Sequence, residues 1–494
     1  MSPRPLASPD TRTSELSPMT DNTATSYEHV PYTFSSFPES HPRRLRATAH
    51  LLGLETPEPG RCRVLELGSA VGGNIVPMAY SLPGASFVGI DFVGSQIETA
   101  KEFAAATGVK NLDLRAASIT DVTPEWGKFD YIVAHGVFSW VSRDVAEKVL
   151  QICAEQLAQN GLAYISFNTY PGWHGRMWAR EAMLFHAEKF DDPIQKVREG
   201  RGFVAALAQS PAASGLLKSE MQYLEGKAEN YILHEYLEVV NEPIYFRDFA
   251  GLVAKHGLQY LGDALQNGMM GAESWPAFMS WMQANREDLI RREQYVDFAR
   301  NRVFRRALVC HGTLALDRAQ LVARAETMQV AGFLHQSVDT SGASRFDHLR
   351  GGLVTGAGPL HDALVTINAR FPRAIPVKEL IDTAGHQRAA VLGQLVNCWL
   401  SGMLELYIDP PAVLAQASSD KPRASPVARY LVAQNQTPIN QRNASVPVDA
   451  MQRRFIRLVD GTRTRDQLAT ELGTSRENVD KLIQSLLETA LLEA

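Results

Sequence analysis

The stretch Arg63-Val-Leu-Glu-Leu-Gly-Ser-Ala-Val-Gly-Gly-Asn74 decides the fold of this chain. Its first part, 64–67, is a short apolar run that only Glu66 interrupts, and a cluster of small residues follows at once. Residues 75–80 then have the composition of a helix start. A buried strand that leads through a glycine-rich turn into a helix is typical of the first unit of a nucleotide-binding α/β domain.

A second strand, predicted at 86–90, ends on Asp91. In nucleotide-binding folds an acidic side chain at the tip of the second strand binds the hydroxyls of a ribose. We therefore expect Asp91, together with the adjacent Phe92, to contact a nucleoside. Which nucleoside it is depends on the residues of the glycine-rich turn.

This turn departs from the dinucleotide fingerprint Gly-x-Gly-x-x-Gly. Gly68 and Gly73 match the outer positions, but Ala70 stands where the middle glycine lets the backbone approach a pyrophosphate. Glu66 points into the same mouth, where a carboxylate repels phosphates and attracts a cation. The turn thus favours S-adenosylmethionine, with its ammonium and sulfonium, over NAD. A purely structural turn is the remaining interpretation, although such a turn needs only one glycine. The expected cofactor contacts of this turn are Glu66, Gly68, Ser69, Ala70, Gly73 and Asn74.

Composition limits the class of protein. The 494 residues have room for roughly two to four domains. A hydrophobic content of 45% and a charged content of 21% are ordinary for a soluble globular protein, and the chain shows neither a membrane span nor a secretory signal. The four cysteines lie far apart, without metal-ligand or disulfide spacing, which predicts a reducing cytoplasm. The net charge of -5 gives no reason to expect nucleic-acid binding.

Polar and aromatic loops follow the fourth and fifth predicted strands, at 129–134 and 162–167. The fourth strand leads into His135-Gly-Val-Phe-Ser-Trp-Val141. The fifth strand, which follows a predicted turn at Asn160-Gly161, leads into Asn168-Thr-Tyr-Pro-Gly-Trp-His174. The carboxyl ends of these strands lie beside the mouth of the first strand, at the switch point where ligands bind in open α/β sheets. We expect the two loops to select the acceptor of a transferred group.

These loops resemble the signatures of a bacterial family of class I S-adenosylmethionine-dependent methyltransferases that carry a methyltransferase regulatory domain. The family includes the lysine methyltransferases that modify outer-membrane proteins. The resemblance covers roughly residue 27 to the C-terminus and is strongest in the first part of the chain. The later stretches that agree with it are Tyr231-Ile-Leu-His-Glu-Tyr-Leu237, Asn241-Glu-Pro-Ile-Tyr-Phe246, Gly257-Leu-Gln-Tyr-Leu-Gly262, Gln294-Tyr-Val-Asp-Phe298 and Phe304-Arg-Arg306.

The resemblance implies cofactor contacts beyond the glycine-rich turn. Ser118 and Ile119 stand where related enzymes place an acidic and an apolar residue against adenine. Ser118 replaces the usual Asp, so Asp121 is a second candidate. His135 is expected near the methionine moiety or the acceptor, and it is the candidate base.

The resemblance also implies acceptor contacts. An N-terminal helix closes over the cofactor in many such enzymes, so Tyr27 and Tyr32 either face the methionine end or the substrate, or pack that helix on the sheet. The candidate catalytic residues are His135, Tyr32 and Tyr170. The candidate substrate-binding residues are Trp140, Asn168, Tyr170 and Trp173, of which the aromatic ones either hold a cationic amine or pack the core.

The middle of the chain is predicted to be mostly helical. It forms a lid or a dimerisation insertion after the fifth strand. A homodimer is therefore one of the expected states of the protein. Two interpretations of 220–312 remain. This segment is a separate helical module, or 258–261 and 304–310 supply a sixth strand and an antiparallel seventh strand of the core sheet. The arginines between 291 and 306 alternate with acids, a pattern typical of a solvated helix face.

The last part of the chain has the pattern of small helical units. Helices predicted between 361 and 401, followed by a strand at 404–408, form a winged-helix pattern. Two further helices, predicted between 465 and 489, have helix-turn-helix spacing. Basic residues within 449–494 are matched by acids, so the charge that neutralises phosphates is missing. This balance disfavours DNA binding and favours a substrate-docking or scaffolding role.

The predicted fold class is α/β, a Rossmann-like class I methyltransferase sheet followed by a helical regulatory region and a C-terminal winged-helix-like α+β domain. We predict an S-adenosylmethionine-dependent methyltransferase that N-methylates protein lysine side chains. The alternatives are a regulatory or scaffold protein that binds the cofactor, and a methyltransferase that acts on a small molecule. The predicted domains are a disordered tail at 1–26, a methyltransferase core at 27–175, a helical lid and regulatory region at 176–312, a winged-helix-like unit at 313–410, a linker at 411–447 and a small C-terminal helical unit at 448–494.

Overall fold

The computed structural model describes residues 33–265, 276–338, 342–348, 351–410 and 419–493. The predicted tail at 1–26, Tyr27 and Tyr32 lie outside the described residues. The strands are β1 Arg63–Leu67, β2 Ser86–Asp91, β3 Leu112–Ala116, β4 Phe129–Ala134, β5 Leu157–Tyr170, β6 Ile244–Tyr245, β7 Leu258–Asp263, β8 Phe304–His311, β9 Gln329–Ala331, β10 His335–Val338, β11 Ser344–His348, β12 Gly351–Thr355, β13 Ile375–Pro376 and β14 Glu405–Tyr407.

Helices surround these strands and fill the C-terminal part. They are α1 Pro42–Leu51, α2 Ile75–Ser81, α3 Gly94–Thr107, α4 Arg143–Gln156, α5 Trp173–Ala187, α6 Pro193–Ala208, α7 Gly215–Glu225, α8 Glu229–Ile232, α9 Phe246–Lys255, α10 Pro276–Ala284, α11 Leu289–Arg300, α12 Leu321–Ala325, α13 Pro359–Arg370, α14 Val377–Asp382, α15 Arg388–Leu400, α16 Pro426–Ala433, α17 Ala450–Leu458, α18 Arg465–Leu472 and α19 Arg476–Glu488. A π-helical turn, Leu233–Leu237, continues α8.

The largest sheet has the strand order β3-β2-β1-β4-β5-β8-β7, and the short β6 pairs with β5. Strands β1 to β5 run parallel, whereas β8 lies antiparallel between β5 and β7. Because β7 and β8 belong to the 220–312 region, that region completes the core sheet and is not a separate helical module. The strand order reverses at β1, and a crevice forms at such a switch point beyond the carboxyl ends of the strands.

Alternation along β1 places Glu66 beside the glycine-rich turn. Leu65 and Leu67 are buried in the core that includes α4 and α9. Val64 is buried in the core on the other face, with α1, α2 and α3. Since successive side chains of a strand point to opposite faces, Glu66 shares the face of Val64. It therefore meets Asn74, the residue that precedes α2.

Strand β5 begins earlier than the sequence predicted. The turn expected at Asn160-Gly161 is wrong, because both residues belong to β5. Pairing between β4 and β5 shifts register after Phe129, so the extra residues are accommodated as an irregularity inside the strand. A Cβ on Gly161 would lie 2.8 Å from Leu157 Cγ, which leaves space only for glycine.

The arginine-rich stretch is not simply a solvated helix face. Arg305, on β8, is fully buried. Its guanidinium contacts Asp297 at 2.8 Å, Glu293 at 3.0 Å and Asp263 at 3.1 Å. Alternating charges in sequence are equally compatible with a solvated face and with a buried ion-pair network, so the prediction failed for Arg305.

Two smaller sheets belong to the C-terminal part. The orders β13-β9-β14 and β10-β11-β12 are both three-stranded and antiparallel. The first sheet packs with α13, α14 and α15 in a separate core, which also takes in Ala47 and Leu51 of α1. Arg44 of α1 pairs with Glu405 of β14 at 2.5 Å. Helix α1 therefore joins this unit to the large sheet.

The linker predicted at 411–447 is wrong in its second half, where α16 forms. Ser425 caps the N-terminus of this helix through its side chain. Val427 is buried in the core of the large sheet, and the Tyr430 ring stacks on Phe103 of α3 with ring centroids 4.8 Å apart. The apolar face of α16 therefore docks the C-terminal unit on the nucleotide-binding domain.

The described residues give two further facts that bear on location. Among their helices, none is both long and apolar enough to cross a membrane. The cysteines of the chain are buried and unpaired; they are Cys62, Cys153, Cys310 and Cys398.

Candidate active site

A cavity of about 520 Å³ lies at the carboxyl ends of β1, β2 and β4. This volume is within the range of small-molecule sites. Most of the residues predicted from the sequence line it, although they come from separate parts of the first 170 positions. They are Glu66, Gly68, Ser69, Ala70, Gly73, Asn74, Asp91, Phe92, Ser118, Ile119, His135, Trp140 and Asn168.

Glu66 is a buried carboxyl group in the wall of this cavity. Its Oε1 accepts a hydrogen bond of 2.6 Å from Asn74 Nδ2. Its Oε2 has no hydrogen-bond partner among the described residues. Burial raises the pKa of Glu66 to about 8, against the opposing effect of the Asn74 hydrogen bond. A cation in the cavity would stabilise the ionised form and satisfy the second oxygen.

Asn74 is held from two distant parts of the chain. The backbone N–H of Phe37 donates to Asn74 Oδ1 at 2.9 Å, and Asn443 Nδ2 donates to the same oxygen at 3.0 Å. Because the oxygen is occupied by donors, the Nδ2 group of Asn74 is directed to Glu66. Asn443 belongs to the C-terminal unit, and no feature of the sequence indicated this contact.

Asp91 lies at the tip of β2, as predicted. Its Oδ2 accepts the N–H of Ala70 at 3.0 Å, and its Oδ1 accepts the N–H of Val93 at 3.0 Å. Burial raises the pKa of Asp91, and these backbone hydrogen bonds oppose the rise. The Phe92 N–H also bonds to this carboxylate, which still has acceptor capacity for a ribose hydroxyl group. Ala70 has a φ of 45°, so the non-glycine residue of the turn adopts a left-handed conformation.

Gly73 lies against the segment that precedes α1. A Cβ at this position would be 2.6 Å from the backbone nitrogen of Ser35. Thr33, Ser35 and Phe37 of this segment line the cavity. Sequence reasoning expected an N-terminal element to cover the cofactor, but it placed that role on the two preceding tyrosines and missed these three residues.

Ser118 and Ile119 lie in the cavity wall after β3. Ser118 Oγ accepts the N–H of Thr120 at 3.2 Å, and Asp121 Oδ2 accepts the N–H of Ser118 at 2.9 Å. Asp121, the second candidate for adenine recognition, is therefore a capping residue and does not line the cavity. The apolar surfaces of Ile119 and Phe92 remain available to an aromatic base.

His135 lies in the cavity wall directly after β4. Its Nδ1 is 2.8 Å from the Tyr164 hydroxyl, and its ring stacks on Phe37 with centroids 3.4 Å apart. Burial, with the charge of Arg306, lowers the pKa of His135 well below its usual range. The imidazole is therefore neutral at physiological pH and is a weaker base than an exposed histidine. This environment favours a hydrogen-bonding role over general base catalysis.

Tyr170 and Trp173 do not reach the cavity, which corrects their predicted acceptor contacts. The Tyr170 ring stacks on His174 with centroids 4.2 Å apart and also contacts Tyr245. Trp173 begins α5 and is fully buried beside Tyr236. The loop predicted at 168–174 is wrong in its extent, because residues 168–170 continue β5 and α5 begins at Trp173, so the packing of α5 fixes these side-chain directions.

The helical region supplies cavity residues that sequence reasoning missed. These residues lie on α8 and the π-helical turn; they are Asn230, Tyr231, His234 and Glu235. In the sequence, the stretch Tyr231-Ile-Leu-His-Glu-Tyr-Leu237 indicates the family resemblance but does not indicate a role for these side chains.

Three family models match separate parts of the chain. Residues 64–161 match a methyltransferase domain. Residues 228–311 match a predicted methyltransferase regulatory domain. Residues 420–490 match the C-terminal winged helix domain of PKMT.

Two relatives are uncharacterized proteins of Rickettsia prowazekii. One is 38% identical over 298 residues, which are 59% of this chain and 54% of the relative. The chain thus spans about half the length of this relative. The other is 37% identical over 229 residues, which are 45% of this chain and 92% of the relative.

The fold is similar to that of PKMT2 from Rickettsia typhi, which was solved in complex with AdoHcy. The TM-score is 0.83 at 25% sequence identity, and the similarity covers 94% of this chain and 100% of that chain. It therefore includes the winged-helix units as well as the large sheet.

Proposed function

The chain belongs to the family of S-adenosylmethionine-dependent methyltransferases that carry a methyltransferase regulatory domain, and on this premise we propose that it N-methylates lysine side chains of proteins. The observation that carries the proposal is the similarity to PKMT2, a protein lysine methyltransferase, over 94% of the chain. A shared sheet alone does not define an acceptor, but here the similarity also covers the units that surround the sheet.

The cavity fits the cofactor at three positions. The unpartnered oxygen of Glu66 suits an ammonium group, and Asp91 suits the hydroxyls of a ribose. Ile119 and Phe92 provide apolar surface for adenine. When bound, S-adenosylmethionine supplies a sulfonium methyl group that a nitrogen lone pair takes while the electrons of the broken S–C bond stay on sulfur.

The protein residues align the acceptor and exclude water. A lysine ammonium has a pKa of about 10.4 in water and must release a proton to solvent before its nitrogen can react. Trp140, Phe37 and Phe304 give the cavity apolar walls, in which a neutral amine is favoured over an ammonium. No protein side chain forms a covalent bond, so alignment and desolvation supply the catalysis.

The proposal is tested by incubating the protein with S-adenosylmethionine carrying a radiolabelled methyl group and a fractionated cell extract. We expect label in the protein fraction and, after acid hydrolysis, in methylated lysine. Asp91→Ala, which should bind the cofactor more weakly, serves as the matched control and should transfer less label when S-adenosylmethionine is limiting. Label in the small-molecule fraction, or in another amino acid, would contradict the lysine assignment. Cofactor binding without any labelled product would indicate the regulatory or scaffold alternative.

We also propose that the protein acts in a reducing cytoplasm. The support is that all four cysteines are buried and unpaired, since oxidising compartments favour disulfides. Alkylation under denaturing conditions, directly after cell lysis, should modify all four thiols. Protection of a pair until a reductant is added would contradict this location.

A further inference from the structure

The regulatory region contributes one wall of the cavity. Tyr231 and Glu235 are four residues apart, and both line the cavity from α8 and the π-helical turn Leu233–Leu237. Tyr231 belongs to α8 and Glu235 to the π turn that continues it, and side chains four residues apart on a helix lie on the same face. Such turns occur frequently at functional sites. The end of α8 and the turn that follows it therefore present these two side chains together to a bound molecule.

The carboxyl group of Glu235 is only loosely paired. Arg176 Nη1 lies 3.9 Å from Glu235 Oε1, which is beyond hydrogen-bond distance. Arg176 is also shared with Glu220, at 3.7 Å. The other arginine nearby, Arg180, donates to backbone carbonyl groups, including that of Tyr236 at 2.8 Å. In the part of the chain that the structure describes, Glu235 makes no hydrogen bond through its carboxylate, and 22% of its side chain remains exposed.

The carboxyl group of Glu235 is poorly solvated, so a nearby cation would stabilise its ionised form. Burial raises the pKa of Glu235 to about 7 despite Arg176, Arg180 and His234, and Glu220 adds to the rise. A carboxyl group in this state is poorly solvated, so a cation that enters the cavity gains more from it than from an exposed carboxylate.

The neighbouring aromatic rings already hold an ammonium. Lys227 Nζ lies 4.2 Å from the centroid of the Tyr223 ring and 5.3 Å from that of Tyr231. The two tyrosine hydroxyls are 2.7 Å apart, which fixes both rings. Tyr231 also lines the cavity, so an ammonium inside it could contact an aromatic face as well as a carboxylate.

We propose that Glu235 binds the ammonium group of the incoming lysine, with Tyr231 beside it, so that the regulatory region forms part of the acceptor site. The inference rests on the proposed function, because it names the residue that recognises the same amine. The cavity then has one carboxylate for each of two cations. Glu66 serves the ammonium of the cofactor, and Glu235 serves that of the acceptor.

The inference is tested by titrating the protein, saturated with S-adenosylhomocysteine, with N-α-acetyl-lysine methylamide. The uncharged N-α-acetyl-norleucine methylamide is the reference probe. We expect the wild-type protein to bind the lysine probe roughly tenfold more tightly than the norleucine probe, as a hydrogen bond to a charged group implies. Glu235→Gln should remove this preference. Glu220→Gln is the matched control, because Glu220 contacts the same arginine without lining the cavity, and it should keep the preference.

Equal binding of the two probes by the wild-type protein would overturn the inference, as would a preference that survives in Glu235→Gln. The affinity for S-adenosylhomocysteine, measured in each variant, should be unchanged and reports on folding. If Glu235→Gln loses that affinity, the lysine and norleucine probes are compared in Glu235→Asp instead. We expect Glu235→Asp to prefer the lysine probe to the same extent as Glu220→Gln. Failure of the proposed function is seen separately, as label on a residue other than lysine in the extract experiment.

Discussion

Asn74 Nδ2 donates a 2.6 Å hydrogen bond to Glu66 Oε1, and the second oxygen of Glu66 has no partner among the described residues. This relationship joins the end of β1 to the residue that directly precedes α2. The strand supplies the acid, and the helix start supplies the donor that orients it. The wall of the cavity thus carries a carboxyl group that is oriented by one hydrogen bond and has a second oxygen without a hydrogen-bond partner among the described residues. Such a group attracts a cation and repels a phosphate.

Glu66→Gln should weaken binding of S-adenosylmethionine and remove most of its pH dependence. The raised pKa, about 8, means that Glu66 is largely protonated in the empty cavity at neutral pH, whereas its ionised form attracts the ammonium. The affinity of the wild-type protein should therefore increase between roughly pH 6 and 8. Calorimetric titrations across this range check the slope, and an equal slope in Glu66→Gln would assign the pH dependence to another group.

The same shift in pKa affects the stability of the cofactor-free protein. The folded state keeps a proton on Glu66 that the unfolded chain releases above its ordinary pKa of 4.5. The free energy of unfolding should therefore fall as the pH rises from about 4.5 to 8, and Glu66→Gln should reduce that fall. Urea denaturation at several pH values measures the difference. A Glu66→Gln curve parallel to that of the wild-type protein would show that Glu66 ionises normally.

Asp91→Ala should weaken S-adenosylmethionine binding by about 1–3 kcal/mol, the usual cost of a lost hydrogen bond to a charged group. The loss has two sources, because Asp91 also accepts the N–H groups of Ala70 and Val93. Asp91→Asn keeps the shape and one acceptor, and we expect an intermediate affinity. Isothermal titration gives both values. If Asp91→Ala binds as tightly as the wild-type protein, Asp91 does not contact the cofactor.

Gly73→Ala should lower cofactor affinity by displacing the segment before α1. The added Cβ would meet the backbone of Ser35, and Ser35 and Phe37 line the cavity. Gly94→Ala is the matched control, because a Cβ at Gly94 has no atom within 4 Å. We expect limited proteolysis near residue 35 to become faster in Gly73→Ala only. Identical affinity and proteolysis in the two variants would exclude the covering role of this segment.

Arg305→Ala should destabilise the fold by about 3–5 kcal/mol, because it leaves buried carboxylates without a counter-charge. Arg305 contacts Asp297, Glu293 and Asp263, and all of them are buried. Arg291→Ala, on an exposed face of α11, is the control and should leave the denaturation midpoint unchanged. Equal midpoints for both variants would show that the network around Arg305 adds nothing to stability.

The sequence was most informative where function depends on a short contiguous segment. Glu66, Gly73 and Asp91 lie in one strand–turn–helix–strand unit, whose local geometry brings them together without further information. The first sheet strands and most helix positions followed from the same local patterns. The fold class was also predictable, because the order of strands and helices leaves few topologies.

Contacts between distant segments could not be predicted. Asn443 contacts Asn74 although 369 residues separate them in the sequence, and no local pattern marks this contact. Trp173 follows a loop that does border the site, but the side chain points into the core because α5 starts there. Arg305 shows the same limit for charge, since its burial depends on acids from α11 and β7.

We expect the mouth after β1 to bind a cationic thioether nucleoside and not a dinucleotide. Calorimetric titration of the wild-type protein with S-adenosylmethionine, and separately with NAD, tests it most directly. We predict saturable binding of S-adenosylmethionine at one site per chain and no detectable binding of NAD. Saturable binding of NAD, with no heat of binding from S-adenosylmethionine, would contradict the assignment of this site to S-adenosylmethionine.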